Sequence, residues 1–522
     1  MFRHASPAEM EAMPTEVELK ITLDPASAKQ VMTAAALAEL RVARGRTETL
    51  VSIYYDTPGE SLAAAGIALR LRRVGRRWLQ TIKRKAGPEA GGLFANHELE
   101  IPAPGGRLVR EGDDPAFAAV AEAVGDAPLS ALFETRVKRR VELLRLPEGL
   151  VELAIDEGEI VAGDRTEPIH EAELELKEGE VAALYALARR LFREGPIRFA
   201  ARNKSARGYA LARGEAASPS KPAAPGFSAE TGVEIVARDI LRDCFRQIAG
   251  NLERVADGEA PEGPHQLRVG LRRLRTALAL FEPALGPAGR ALSDSARELG
   301  KVVSGLRDLD VLGEEVAALG DAGLDAAARD ALLAALARRR EVERTKVRAR
   351  LAGPDGAGFV LALAEFIETR GWLVPTDYAQ TARLAQPIGA LAPAMLDKRL
   401  KAARRRARGI EGLDEDGLHD LRKSLKTLRY GVEMLAPIHR GREVATYTRA
   451  IKDLQERFGS LTDAAMARHW LAGEAAIATG DPAAQRAAGW QLGYMAARVE
   501  RDRAGIFSAW HDLAEAKPYW RK

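Results

Sequence analysis

From Glu16 to Lys177 the chain repeatedly alternates charged and aliphatic residues. The pattern is strict in Glu16-Val-Glu18-Leu-Lys20-Ile-Thr22-Leu, and it returns in Leu69-Arg70-Leu71-Arg72 and in His97-Glu98-Leu99-Glu100-Ile101. It returns again in Val151-Glu-Leu153-Ala-Ile155-Asp156 and Glu171-Ala-Glu173-Leu-Glu175-Leu-Lys177. A period of two sends successive side chains to opposite faces, so these segments predict half-buried strands separated by Gly/Pro turns. Ala28 to Leu40 and Val181 to Phe192 read as helices between them. Arg213 to Gly226 is rich in Pro, Ala, Gly and Ser without apolar periodicity, and reads as a linker. Beyond it, Ala, Leu and Arg recur at helical spacing to the C-terminus. The expected organisation is a β-rich domain over 14–210, a linker over 211–227 and an all-α domain over 228–515.

The helical part contains a duplication. His265-Gln-Leu-Arg268-Val-Gly-Leu-Arg272-Arg-Leu-Arg275 and His419-Asp-Leu-Arg422-Lys-Ser-Leu-Lys426-Thr-Leu-Arg429 both place basic residues 3, 7 and 10 positions after a His. On a helix those four positions share a sector of roughly 80°. Leu267, Leu271, Leu274 and Leu278 lie opposite, as do Leu421, Leu425, Leu428 and Val432. Each helix should pack through its leucines and present the cations elsewhere. A second element follows each His at nearly the same distance: Leu306-Arg-Asp308-Leu-Asp310 and Leu461-Thr-Asp463. The charged face of one amphipathic helix is ordinarily solvated surface. Two faces with matched offsets and a matched downstream Asp point instead to an anionic partner. The copies differ at single positions, Val269 against Lys423 and Arg273 against Thr427, so the face need not be symmetric.

Composition narrows the classes. At 522 residues the chain exceeds what one core holds, and 46% hydrophobic with 29% charged residues is ordinary for a soluble globular protein. The net charge is only +4, so anion binding must come from how the 78 Lys and Arg are clustered. The single cysteine, Cys244, excludes an intrachain disulfide and a Cys-rich metal site and fits a reducing compartment. The first residues hold no signal-type apolar stretch, and no segment has the ~18 apolar residues of a membrane span. A cytoplasmic protein with no membrane partner is expected.

In the strand region the charged residues form a set. Glu16, Glu18 and Lys20 share a face, as do Arg70 and Arg72; Lys83 follows, then Arg136 and Lys138 in Glu134-Thr-Arg-Val-Lys-Arg, then Glu171 and Glu173, then Lys204. This set, opened by Glu-x-Glu-x-Lys and running in order over about residues 14–210, resembles the CYTH, or triphosphate tunnel metalloenzyme, family. The resemblance implies an α+β domain: a closed antiparallel eight-stranded barrel with flanking helices and charged side chains in its bore. Such a bore has room for one small ligand, and lining it with Arg and Lys is costly unless a polyanion neutralises them. Arg forks suit phosphate oxygens, and carboxylates there suit a hard divalent cation. The resemblance assigns Glu16, Glu18, Asp156, Glu171 and Glu173 to Mg²⁺ or Mn²⁺. It assigns Lys20, Arg70, Arg72, Lys83, Arg136, Lys138 and Lys204 to the phosphates, with Glu16, Glu18, Lys20 and Lys204 catalytic. Lys138 or Arg139 could replace Arg136, and Glu98 or Glu100 matches a further acidic position. Arg73, Arg84 and Lys85 read as solvated neighbours.

The duplicated helices, over roughly 228–515, resemble the CHAD family. That likeness implies two pseudo-symmetric four-helix bundles that bind inorganic polyphosphate. The residues carried over are His265, Arg268, Arg272, Arg273, Arg275, His419, Arg422, Lys423, Lys426 and Arg429. Neither His has a partner at metal-ligand spacing, and no P-loop or nucleophilic triad stands out. With aromatics at 5% and not interleaved with basic residues, nucleic acid ranks behind polyphosphate. The expected function is metal-dependent hydrolysis of inorganic triphosphate fused to polyphosphate binding. Its rivals are an adenylate cyclase of the same barrel type, a thiamine or nucleoside triphosphatase, and a non-enzymatic protein docked on polyphosphate granules.

Overall fold

The structure is a computed structural model that describes residues 15–33, 35–85, 92–192, 198–215, 218–223, 226–319, 323–439, 441–473, 476–477 and 480–521. Parts of the expected linker and of the expected Ala28–Leu40 helix lie outside the described residues. The chain forms two compact units, 1–219 with 352–369 and 220–351 with 370–522.

In the first unit eight strands close into an antiparallel barrel. They are β1 (Thr15–Thr22), β2 (Arg46–Asp56), β3 (Ile67–Val74), β4 (Arg77–Lys85), β5 (Leu93–Pro102), β6 (Ser130–Leu146), β7 (Gly149–Ala162) and β8 (Arg165–Gly179). The order is β5-β4-β3-β2-β6-β7-β8-β1, and β1 also pairs with β5, which closes the ring. A two-residue strand, Arg198–Phe199, pairs with the end of β1. Every segment read as a strand from its alternation lies in one of these, apart from Leu23, which falls just past β1. The Val181–Phe192 helix is present as Ala182–Leu191, and the described parts of 28–40 fall in two helices, Pro25–Thr33 and Ala35–Leu40.

Aliphatic rows of the strands face outward under short helices. Leu69 and Ile82 are buried with Leu62, Ala116 and Phe117, from the helices Ser61–Ala64 and Pro115–Val124. The other row faces the bore. One end of the bore is apolar, filled by Leu50, Tyr54, Phe133, Val137, Ile160 and Ile169 together with Tyr209 from the helix Lys204–Arg213. That helix lies so close that a Cβ on Gly208 would stand 2.1 Å from the Phe133 ring, which restricts the position to glycine. It is fastened by the Tyr209 hydroxyl, which donates to Asp56 Oδ2 at 2.8 Å. Asp56 is fully buried and also accepts the backbone N–H groups of Thr57, Leu62 and Ala63.

The second unit is helical. Val233–Asp257 packs on Glu262–Leu285, which packs on Arg290–Ala318; in the second copy Ile388–Arg406 packs on Glu415–Leu435, which packs on Arg442–Arg457. The expected leucine faces are the buried ones, with Leu267, Leu271 and Leu274 and then Leu421, Leu425, Leu428 and Val432 at most 2% exposed. One apolar core mixes the copies: Leu309, Leu312 and Val316 with Leu332 and Leu336 of the first, Trp470, Ala484 and Met495 of the second. The two His-bearing helices touch each other directly.

Candidate functional site

Strand register brings the charges of the bore together. It sets Lys20 opposite Glu173, Lys83 opposite Glu98, Arg139 opposite Asp156 and Asp156 opposite Glu171. Cross-strand neighbours of opposite sign attract, and each of these cations finds its acid. Lys20 lies 2.9 Å from Glu18 and bonds Glu173. Lys83 bonds Glu16 and lies 2.8 Å from Glu98. Arg139 grips Asp156 through two bonds of 2.7 Å and also reaches Glu173. Lys204, at the start of its helix, is 2.8 Å from Asp156, 2.7 Å from Glu171 and 2.8 Å from Glu173. Arg70 bonds the Tyr54 hydroxyl at 3.3 Å and faces Glu98 at 3.5 Å, and Arg72 bonds Ser52 at 3.3 Å.

These side chains surround a cavity of about 880 Å³ whose walls include Glu16, Glu18, Lys20, Arg70, Arg72, Lys83, Glu98, Arg139, Glu173 and Lys204. Burial lowers the Arg72 guanidinium to about 10, and Arg70 and Arg139 add to the effect. Burial also opposes the charges on Lys20 and Lys204, but the carboxylates beside them win and hold both above the usual lysine range. Glu173 is pressed well below the usual range: burial would raise it, but Lys20, Lys204 and Arg139 prevail. Glu16 goes the other way, pushed up to about 8 by burial and by Glu18 and Glu98 against the pull of Lys83. Glu98, to which Glu16 is hydrogen-bonded, is brought down to about 2 because Lys83 and Arg70 overcome its burial. Two carboxyl groups therefore share one proton beside a third, Glu18.

Several sequence assignments need correction. Arg136 and Lys138 point out of the barrel; Arg136 is exposed and pairs with Glu134 and Glu159. Arg139 is the bore-facing cation of β6, because Val137 on the same row fills the apolar end and the even-numbered positions must face solvent. Asp156 and Glu171, both fully buried, do not line the cavity; they are occupied in holding Arg139, Lys204 and Arg207. The five carboxylates read as one metal set are thus divided. Among the described residues no three His, Cys, Asp or Glu side chains are gathered as a metal site. The pair Glu16 and Glu98 with Glu18 nearby nonetheless fits a hard cation, since its shared proton is a charge that a metal could replace. Tyr54 was missed, and nothing in an alternating strand marks it.

In the helical unit Arg268, Arg272, Arg422, Lys426 and Arg429 converge, with His265 beside them. Burial and then Arg272, Arg422, Arg268 and Arg429 bring Lys426 down to about 5, and burial and Arg272 bring Arg422 down to about 10. His265 is lowered by burial, Arg307 and Arg268. The downstream Asp elements meet this seam: Asp308 bonds Arg268 at 3.1 Å, and Asp463 feels Arg422 and Lys426. Other expected residues lie elsewhere. Arg273 is buried, bonded at 2.8 Å to both Asp243 and Gln247 of Val233–Asp257, so it fastens two helices. Arg275 faces Arg297, Asp294 and Glu298. His419 and Lys423 are exposed, and Lys423 pairs with Asp420 on its own helix. Arg307 joins the seam unforeseen, although it stands inside the repeated Leu-Arg-Asp element.

Residues 14–209 match the CYTH domain and residues 239–472 the CHAD domain. An inorganic triphosphatase of Haemophilus influenzae is 29% identical over 201 residues, 38% of this chain and 54% of that protein. An uncharacterized protein of Mycobacterium tuberculosis is 29% identical over 301 residues, 53% of this chain and 54% of that one. The chain thus spans about half the length of these curated relatives. The CHAD domain of the plant Ricinus communis, 25% identical, covers 58% of this chain and 98% of its own at a TM-score of 0.49. No helix among the described residues is long and apolar enough to cross a membrane.

Proposed function

We propose, from the premise that this chain joins a CYTH domain to a CHAD domain, that the barrel hydrolyses inorganic triphosphate and the helical unit binds inorganic polyphosphate. The observation that carries the first part is the bore, where Lys20, Arg70, Arg72, Lys83, Arg139 and Lys204 face one cavity with carboxylates among them. Arg70 and Arg72, side by side on β3, would grip phosphate oxygens in fixed forks. Lys20 and Lys204, held charged by Glu18, Glu173, Asp156 and Glu171, would meet the charge that spreads over the transferring phosphoryl group. The apolar end built on Phe133 and Tyr209 restricts water on that side. Glu16, Glu18 and Glu98 would hold Mg²⁺ or Mn²⁺. A divalent ion bound there supplies Lewis-acid neutralisation of phosphate oxygens. The likeness of 201 residues of this chain to the Haemophilus influenzae triphosphatase, together with the CYTH match over 14–209, supports this reading.

The polyphosphate half rests on the seam, whose cations have few carboxylates of their own. The decisive experiment is a panel of triphosphate, ATP, GTP and thiamine triphosphate with Mg²⁺, Mn²⁺ or chelator, and with products identified. Orthophosphate from triphosphate, lost in chelator and in Glu18→Gln, is expected. Pyrophosphate with cyclic AMP from ATP would replace the reading by a cyclase. No turnover of any member would leave a polyphosphate-binding protein.

A further inference from the structure

Lys426 is the single lysine in a seam of arginines. It stands at the same position of its copy as Arg272 does in the other. Around its ammonium lie Arg272 and Arg268 from Glu262–Leu285, and Arg422 and Arg429 from its own helix. His265 and Asp463, the latter from Gly459–Leu471, also feel its charge. Among the described residues no carboxylate stands within ion-pair distance of Lys426 or of Arg422, and the Arg422 Nε is buried without a hydrogen-bond partner. Asp308 answers Arg268, and Glu433 answers Arg429. The cluster therefore carries more positive charge than its own acids offset.

Self-repulsion of this kind has one chemical outlet. A guanidinium cannot shed its proton under ordinary conditions, whereas a half-buried ammonium can. We propose that the seam stores this repulsion by keeping Lys426 neutral while empty, and that an entering phosphate chain recharges Lys426 by proton uptake. This rests on the polyphosphate reading of the same seam and adds its coupling to protons. The low position of Lys426, about 5, agrees with the arrangement. The sign follows: the bound state holds one more proton than the free state, so affinity rises as pH falls toward that value and levels off below it. His265 would add uptake only near its own range, lower than that of a recharged lysine.

The test is titration calorimetry of the full chain with long-chain inorganic polyphosphate, whose few terminal groups contribute negligible titration. It is run near about pH 8, where imidazoles are largely neutral, in two buffers of contrasting ionisation heat. Wild type should take up about one proton per occupied seam. Lys426→Arg, which keeps the charge, and Lys426→Met, which has none to gain, should both bind without uptake. Binding by wild type without uptake, or equal uptake by Lys426→Arg, overturns the coupling alone. Absence of binding by wild type at low salt overturns the polyphosphate reading and this inference with it.

Discussion

The bore of the barrel and the seam between the duplicated helices both gather cations, but they stabilise them by opposite means. In the bore each lysine and Arg139 has a carboxylate across the strand or at its side, and their charges are held firmly. In the seam the cations face one another, and burial and the arginines press the ammonium among them well below the usual lysine range. A site whose charges are balanced in advance keeps its shape when empty, and its ligand competes with internal partners. A site left unbalanced gains more from the arrival of an anion, at a cost in the empty state. The first arrangement suits chemistry at fixed atoms, and the second suits holding a polymer of no fixed register.

This contrast can be broken most directly at Glu173. Replacing it by Ala takes one acid away from each of Lys20, Arg139 and Lys204 in a buried wall, and breaking a buried pair costs about 3–5 kcal/mol. Urea unfolding should show a loss of that order, whereas Arg272→Ala with Lys426→Ala should leave stability unchanged or higher. Equal losses at both places would erase the distinction. The seam has its own structural row, and Leu271→Ala or Leu425→Ala should cost about 2–5 kcal/mol each. The Arg272/Lys426 pair should instead lose polyphosphate affinity, with a shallower dependence on salt.

A smaller effect separates two neighbours on β6. Arg139→Ala should lower kcat/KM on triphosphate at least about tenfold, the scale of one charge-assisted bond. Arg136→Ala should stay within about twofold, as surface substitutions do. The reverse ranking would mean that the outward row reaches the substrate.

That pair also shows what could be read ahead. Alternation identified the strands and most bore residues, because in β1, β3 and β8 the charged row faces in and the aliphatic row packs under helices. In β6 the rows exchange roles near the apolar end: Val137 faces in and Lys138 out, so the resemblance carried over Arg136 and Lys138 from the outward row and held Arg139, which faces in, only as an alternative. Only closure of the barrel on Phe133 and Tyr209 decides this, and no local pattern records it. Likewise, an offset of eight from His265 turns Arg273 toward Asp243, a contact that depends on where the Val233–Asp257 helix packs. The leucine faces, which depend on one helix alone, were legible without remainder.

A further effect concerns protons in the bore. Burial keeps the Glu16 carboxyl protonated to about 8 in the folded chain, against 4.5 for the free group. Between those values the folded state binds more protons than the unfolded one, so this group lowers stability as pH rises through the window. In chelator, urea midpoints at the two ends of the window should differ for wild type, and Glu16→Gln should remove that part of the slope. A divalent cation should bind more tightly toward the upper end, since it displaces the proton. An unchanged slope in Glu16→Gln would place the shared proton elsewhere.

Closure of the ring through β1 has a consequence for how the protein comes to exist on the ribosome. The strand carrying Glu16, Glu18 and Lys20 emerges before the other strands of the barrel, yet Lys20 meets Glu173 from 153 residues further along. β1 must wait for both β5 and β8, and contacts so distant in sequence form slowly because loop closure precedes their reward. The strand that carries the opening motif is therefore among the last to be zipped in. No half-made chain possesses the bore, and its ring of cations and carboxylates comes together only when the barrel is whole.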